Sequence, residues 1–367
     1  MTNKEKNSPR VLLVTLEYPP FFGGVANYYD NLIKYWPEND RIFVLNNNGG
    51  ELINKKRPFL KWLPSIRKIN NEIKKNKIDH VMVGHLLPLG TAMFLISKFT
   101  KTPYSVFIHG MDFDFALKNF RKRILAKMIL QNAKHIFCAN SYVADKVKKI
   151  LQESDKVFVV NPGIDMNHEL RIMNHELRKK YNLGDNFVLL TVGRLVKRKG
   201  VDKVLESLPA VIKTVPNLKY IILGNGPEIE NYKLRVANFG LEKHVNIITD
   251  ASDQRKWAWY DACDIFIMPS REIKGDYEGF GIVYLEANLA EKPVIAGDSG
   301  GVRDAVMDGV NGILVNPDET GEIAKAILRL ANDKEYRLKL GKNGYDRAIN
   351  NFSWEGQVKK IFNIISS

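Results

Sequence analysis

The chain has 367 residues, 45% hydrophobic and 26% charged. That exceeds one ordinary core and implies two domains of a soluble globular protein. No apolar run approaches the roughly 20 residues that span a bilayer, and the polar stretch Met1–Arg10 carries no apolar signal core. Cys138 and Cys263 both lie in apolar, strand-like runs, so reduced, buried thiols of a cytosolic protein are expected rather than a disulfide framework.

The formal net charge is +14 and is unevenly distributed. Residues 1–164 hold 26 Lys and Arg against 13 Asp and Glu, and the remainder holds 29 against 28. Such asymmetry points to an anionic surface, membrane or nucleic acid, facing the first half. A Lys- and Asn-rich compositional bias would give the same count. No RNP, zinc-finger or helix-turn-helix pattern is present, which argues against nucleic acid.

In chain order, Val11–Leu16 predicts a buried strand. A turn with Gly23-Gly24 follows and opens an amphipathic segment, Val25–Trp36. Strand, glycine turn and helix let backbone approach a phosphate or sugar closely, although this is not a dinucleotide G-x-G-x-x-G. Further strands are predicted at Arg41–Leu45, His80–Gly84, Tyr104–His109, His135–Ala139 and Val157–Val160. Helical or loop segments between them imply a parallel sheet with helices on both faces. His109-Gly110 ends one strand, where ligands of such sheets bind, so His109 is a candidate site residue.

Two basic clusters carry aromatic neighbours: Lys55-Lys56-Arg57 before Phe59 and Trp62, and Lys118–Lys127 with Phe120, Ile124 and Leu125. Either suits a lipid headgroup surface or a solvated helix face. Asp112-Phe113-Asp114 has a D-x-D form but is discounted as a metal site, because two acids at that spacing are common. Residues 166–179 repeat Met-Asn-His-Glu-Leu-Arg in tandem. The repeat reads as a helix grown by duplication in a linker, not as a metal site.

The alternation then restarts. Strands are predicted at Phe187–Val192, Lys219–Leu223, Val245–Ile248, Ile265–Met268, Val294–Ala296 and Ile313–Val315. A second doubly wound α/β domain follows, the two facing each other across a cleft. The expected boundaries are 1–164, a linker at 165–185, 186–350, and a final helix at 351–367 anchored by Phe352 and Trp354.

Several strand ends in the second half carry chemistry. Gly193-Arg194 through Lys199-Gly200 places two cations, Arg194 and Lys199, on a loop entering a helix. Such cations bind a diphosphate and stabilise its departure. Pro269-Ser270 ends another strand, and Glu278 and Glu286 follow, eight positions apart around Gly279 and Gly281. A helix is predicted over Ile282–Ala290, its N-terminal amides favouring phosphate. Glycine loops recur at Gly224-Asn225-Gly226 and Gly300-Gly301.

Taken together, these motifs resemble the retaining glycosyltransferases of family 4, whose GT-B fold has two facing Rossmann-like domains. The resemblance covers essentially the whole chain. Its most specific part is the E-x7-E pair after Pro269-Ser270. It implies that the second domain binds a nucleotide sugar and the basic first domain binds an acceptor. Arg194 and Lys199 would hold the diphosphate without metal or other cofactor. Glu278 would bind donor-sugar hydroxyls, with Gly279, Phe280, Gly281, Ile282 and Val283 near the phosphate. Glu286 would bond the ribose, and the segment beginning Ile248-Thr249 would flank the base. Gly23 and Gly24 would contact phosphate or sugar from the first domain, His109 would sit near the reacting centre, and the final helix would cross back onto the first domain.

The motif sequence looks most like the GDP-mannose-dependent phosphatidylinositol mannosyltransferase branch, and UDP-sugar enzymes share much of it. The expected partners are a nucleotide-sugar donor, a lipid-linked or glycan acceptor and an anionic membrane at its cytosolic face. A GT-B sugar-nucleotide epimerase is the alternative. The run Asn288–Pro293 departs from the pattern, carrying Glu291-Lys292 where relatives often have small residues and glycine.

Overall fold

The computed structural model describes residues 8–21, 23–53, 60, 62–152, 155–166, 174–249 and 253–367. The chain divides into two compact units, Met1–Gly163 with Trp354–Ser367, and Ile164–Ser353.

The first unit is a six-stranded parallel sheet in the order β2-β1-β3-β4-β5-β6. Its strands are β1 (Val11–Val14), β2 (Ile42–Leu45), β3 (His80–Val83), β4 (Tyr104–Ile108), β5 (His135–Cys138) and β6 (Val157–Val159). Between them lie α1 (Gly24–Lys34), α2 (Leu63–Asn76), α3 (Leu89–Thr100), α4 (Met111–Leu117), α5 (Phe120–Asn132) and α6 (Ser141–Leu151). The strands β1, β3, β4 and β5 are buried at every position. A parallel sheet covered on both faces demands such unbroken apolar runs. Val11, Leu13, Met82, Phe107 and Phe137 pack on Tyr28, Tyr29 and Leu32 of α1. The same cluster takes in Trp354, Val358, Ile361 and Ile365 of the final helix, α15 (Trp354–Ser366). Gly163 lies so close to Trp354 that an added Cβ would sit 2.6 Å from its ring. The C-terminal helix is therefore part of the first unit's core.

The second unit repeats the plan with the order β12-β11-β10-β7-β8-β9. Its strands are β7 (Phe187–Val192), β8 (Leu218–Leu223), β9 (Val245–Ile248), β10 (Ile265–Met268), β11 (Val294–Gly297) and β12 (Gly312–Val315). Its helices are α7 (Asn174–Lys180), α8 (Val201–Ile212), α9 (Ile229–Asn238), α10 (Asp253–Ala262), α11 (Ile282–Leu289), α12 (Val302–Ala305), α13 (Thr320–Asn332) and α14 (Lys334–Asn351). Alternate strand residues feed two cores. Leu190, Phe266, Met268 and Ala296 face one side, and Leu189, Ile265, Ile267 and Ile295 face the other. All twelve predicted strands are present, with ends within two residues of expectation.

The tandem repeat lies outside the described residues between 167 and 173. Its second copy continues into α7, which packs on α10. Leu177 and Leu183 are buried there, and Arg178 donates to the carbonyls of Ala262, Gly184 and Asn186. Residues 177–185 thus belong to the second unit. Glu291, in the run that departs from the family pattern, closes α11 in the left-handed conformation at φ 57°. Glycine occupies that conformation without strain.

Three polar residues are buried in the first sheet. His80 Nε2 lies 2.8 Å from Ser105 Oγ, which lies 3.2 Å from His135 Nδ1. Burial, reinforced by His135 and Lys134, pushes the His80 pKa down to about 3. Burial and Lys134 push His135 to about 4. Both rings are neutral in the fold but take a proton near their ordinary pKa of about 6.5 once unfolded. The unfolded chain therefore binds more protons below pH 6.5, and stability falls as pH drops from there toward 4. His80 alone should lower stability by about 2 kcal/mol between pH 7 and pH 5. Urea denaturation at the two values checks this, with His80→Gln reducing the loss.

Candidate active site

In the second sheet the connections run in opposite directions from the adjacent pair β7 and β10, so the crevice beyond their carboxyl ends is the expected ligand site. The loop after β7 carries Gly193 and Arg194, then a turn at Lys197–Lys199 that closes on Gly200, the N-cap of α8. The loop after β10 carries Pro269 and Ser270 and leads to Glu278. The two loops press together at Gly200. Its φ is +75°, and a Cβ there would lie 2.1 Å from the Pro269 carbonyl oxygen, so only glycine fits.

Glu278 follows β10 and is 8% exposed. Its Oε2 accepts from Lys199 Nζ at 2.5 Å, Arg198 Nη1 at 2.8 Å and Ser270 Oγ at 3.4 Å. Arg198 Nε also reaches Asp276 Oδ1 at 3.1 Å. Burial works to raise the Glu278 pKa, but Lys199 and then Arg198 outweigh it, and the carboxyl is held below its ordinary value. The Gly301 amide donates to the Glu278 carbonyl at 2.9 Å. The Gly300-Gly301 loop after β11 thus holds the Glu278 backbone in place.

Gly281 caps α11 at φ +79°, where a Cβ would fall 2.3 Å from the Tyr284 ring. Tyr284 is locked by its hydroxyl, which donates to the Met268 carbonyl at 2.7 Å. Ile282 and Val283 begin the helix, and the helix makes no internal use of their amides. Phe280 is buried, and Gly279 is half-buried. Glu286 lies one turn on. Its carboxylate accepts from Lys256 Nζ at 2.9 Å and Tyr260 Oη at 2.7 Å.

Of the residues expected from sequence, Lys199 and Glu278 are in direct contact. Arg194 is on the same loop as Lys199, and its side chain is exposed. Ile248 is buried at the end of β9, with Thr249 exposed just beyond. The Gly224 amide donates to the Ile248 carbonyl at 2.9 Å, and the Gly193 amide to the Leu223 carbonyl at 3.0 Å. The ends of β7, β8 and β9 are thereby tied together. Sequence reasoning passed over Arg198, Lys256 and Tyr260. Arg198 stands between two other basic residues, and nothing in the sequence distinguishes it. Lys256 and Tyr260 are four apart on α10 and so share a helix face, a usable signal.

The first unit's sheet has its own reversal between β1 and β3. Gly23 and Gly24 begin α1, and Gly24 is open, with nothing within 4 Å of an added Cβ. His109, at the end of β4, is half-buried with Nε2 2.8 Å from the Tyr29 hydroxyl. Burial and then His85 push its pKa down to about 3. Glu17 and His85 come from the ends of β1 and β3, with His85 Nε2 3.6 Å from Glu17 Oε1. Asp112 and Asp114 serve separate purposes. Asp112 accepts from the amides of His109 and Gly110, and Asp114 pairs with Lys146. Among the described residues no group of three or more His, Cys, Asp or Glu could hold a metal ion. Cys138 and Cys263 are both free and buried.

Residues 22–168 match the model described as Glycosyltransferase Family 4, and residues 173–347 match Glycosyl transferases group 1. The chain belongs to the family 4 glycosyltransferases. It is similar to a GDP-mannose-dependent alpha-(1-6)-phosphatidylinositol monomannoside mannosyltransferase of Mycolicibacterium smegmatis, 26% identical over 97% of this chain and 98% of that protein. An uncharacterized glycosyltransferase of Methanocaldococcus jannaschii is 27% identical over 97% of this chain and 99% of its own. Among solved structures, Anabaena HepE in complex with UDP shares the fold, with a TM-score of 0.80 at 20% identity, covering 97% and 99% of the two chains. As an enzyme of this family, the chain pairs a GT-B architecture with an E-x7-E site whose first acid is ion-paired.

Removing the Glu278 carboxylate leaves the buried Lys199 ammonium uncompensated. Glu278→Ala should cost roughly 3 kcal/mol of stability, measured by denaturant unfolding. Adding Lys199→Met should recover most of that loss, because the unpaired charge is then gone.

Proposed function

We propose that the chain is a retaining hexosyltransferase that moves mannose from GDP-mannose to a lipid-linked or envelope glycan acceptor at the cytosolic membrane face. The observation that carries the reading is Glu278 held by Lys199 and Arg198 where the strand order of the second sheet reverses. A carboxylate accepts from sugar hydroxyls, and cations beside it match a diphosphate. Lys199 keeps two N–H donors beyond the one given to Glu278, and Arg194 is free to turn toward phosphate from the same loop. Glu286 is the ribose ligand, and the amides of Gly279–Val283 lie near the phosphate. Ile248 and Thr249 flank the base.

The chemistry follows from those charges. The sugar C1–O bond to the diphosphate breaks as the acceptor oxygen bonds to C1 on the same face. The acceptor proton passes to the departing phosphate oxygen, while Arg194 and Lys199 stabilise its charge. No metal is assigned a role, so transfer should persist in EDTA. GDP-mannose is favoured by the motif sequence and by the name of the mycobacterial relative. UDP in the Anabaena structure supports a UDP-sugar as the second reading. A sugar-nucleotide epimerase is the remaining alternative, separated by whether sugar leaves the nucleotide for an acceptor.

The membrane part rests on α5. Phe120, Ile124 and Met128 are 76%, 47% and 42% exposed and recur every four residues, which forms one stripe. Arg121, Arg123 and Lys127 flank it, exposed, and Lys122 covers the Phe115 ring at 3.8 Å. Apolar residues bordered by cations suit an anionic lipid surface. The other basic cluster, Lys55-Lys56-Arg57, lies outside the described residues.

A thermal-shift panel of GDP-, UDP- and ADP-sugars tests the donor. GDP-mannose at 100 times its Kd should stabilise the fold by about 2.7 kcal/mol, and the shift should disappear in Glu278→Ala. A shift with UDP-sugars alone would move the donor to the second reading, and no shift with any would end the proposal. Flotation with phosphatidylglycerol vesicles tests the surface. Binding should weaken with salt and drop in the Phe120→Ser, Ile124→Ser variant.

A further inference from the structure

Tyr29 lies on α1, outside every motif considered so far, yet its hydroxyl makes two short contacts. The Tyr29 oxygen lies 2.7 Å from the Gly84 carbonyl oxygen and 2.8 Å from His109 Nε2. A phenol has one proton, and a carbonyl oxygen can only accept. The Tyr29 proton therefore goes to Gly84, and the bond to His109 must be supplied by the imidazole. His109 then carries its proton on Nε2, and Nδ1 holds a bare lone pair. Gly84 is glycine for the same contact, since an added Cβ would sit 2.9 Å from the Tyr29 hydroxyl. The arrangement is fully enclosed on the Tyr29 side, where the residue is 0% exposed. The rings of Tyr28 and Tyr29 meet the His109 imidazole edge-on at 5.1 and 5.3 Å.

The neighbouring imidazole is set the same way. The Leu16 amide donates to His85 Nδ1 at 3.4 Å, so the His85 proton is on Nε2 and faces Glu17. The other charged group near His109 is Asp112, whose Oδ1 is taken up by the amides of His109 and Gly110. No carboxylate is hydrogen-bonded to the His109 ring among the described residues, so nothing there favours an imidazolium.

We propose that Tyr29 is a positioning residue that fixes the proton of His109 on Nε2, so that Nδ1 accepts a hydrogen bond from a substrate hydroxyl. The inference rests on the glycosyltransferase reading of the site for the hydroxyl, and on the Tyr29 geometry alone for the tautomer. Tyr29→Phe keeps the ring and removes the oxygen, which frees His109 to adopt either tautomer.

Nitrogen-15 NMR of histidine-labelled protein, with His109 assigned through His109→Gln, reads the tautomer without substrate. Wild-type His109 should show a pyrrole-like Nε2 and a pyridine-like Nδ1 at pH 7. Tyr29→Phe should bring the two shifts toward each other and lower kcat by about tenfold, with a smaller change in the donor KM. A proton on Nδ1 in the wild type would overturn the inference. So would a Tyr29→Phe variant that kept either the tautomer or the full kcat. Transfer with the tautomer reversed would sink only the role of Tyr29. The stated tautomer in a protein that transfers no sugar would sink only the functional reading.

Discussion

Burying the carboxylate of Glu278 opposes its ionisation, and the cations from the β7 loop reverse that. The rest of the second unit's active end is arranged to keep those cations within reach. Lys199 is itself buried, so acid and base depend on each other: neither charge is tolerable there without its partner. The pair can form only if the loops after β7 and β10 touch, which Gly200 permits by leaving room for the Pro269 carbonyl. The Gly301 amide then fixes the Glu278 backbone from a third loop. The glycines that look like scattered turn residues in the sequence are therefore the clearance that one buried ion cluster requires.

The strand pattern was legible because parallel strands covered on both faces must be apolar at every position. Runs such as Val11–Val14 and Ile265–Met268 have no other good explanation. The E-x7-E stretch was legible for a related reason: two glycines before an apolar helix announce a turn that carries side chains to a strand end. What escaped were contacts made by position rather than by residue type. Lys197, Arg198 and Lys199 are interchangeable on paper. Only the fold of the turn sends Arg198 and Lys199 to Glu278 and leaves Lys197 exposed. Lys256 and Tyr260 reach Glu286 across thirty and twenty-six residues of chain, and their spacing of four shows that they share a helix face but not what that face meets.

The tandem repeat, rich in helix formers, reads from sequence as a helix grown by duplication in a linker. Yet Leu177, in the second copy, is buried in the second unit's core, and Arg178 ties together the carbonyls of Ala262, Gly184 and Asn186. Helix formers in a seven-residue repeat fix the helix but say nothing of what it lies against. In the second copy Leu177, with Leu183 beyond it, joins the core that Trp257 and Trp259 of α10 also line.

The two units use one sheet device with opposite electrostatics. Each places polar side chains where its strand order reverses, Glu278 with its cations in one, and Glu17 with His85 in the other. In the second unit the acid is ionised and two cations crowd it, an environment that stabilises added negative charge. In the first unit burial pushes the pKa of His109 down to about 3, the Tyr29 hydroxyl lies 2.8 Å from its Nε2, and the Leu16 amide donates to His85 Nδ1. A neutral imidazole neither attracts nor repels a phosphate strongly, but it discriminates sharply between groups that donate a hydrogen bond and groups that cannot. The two units therefore differ in what stands at the carboxyl end of each sheet, an ionised carboxylate with two cations in the second and neutral His109 in the first.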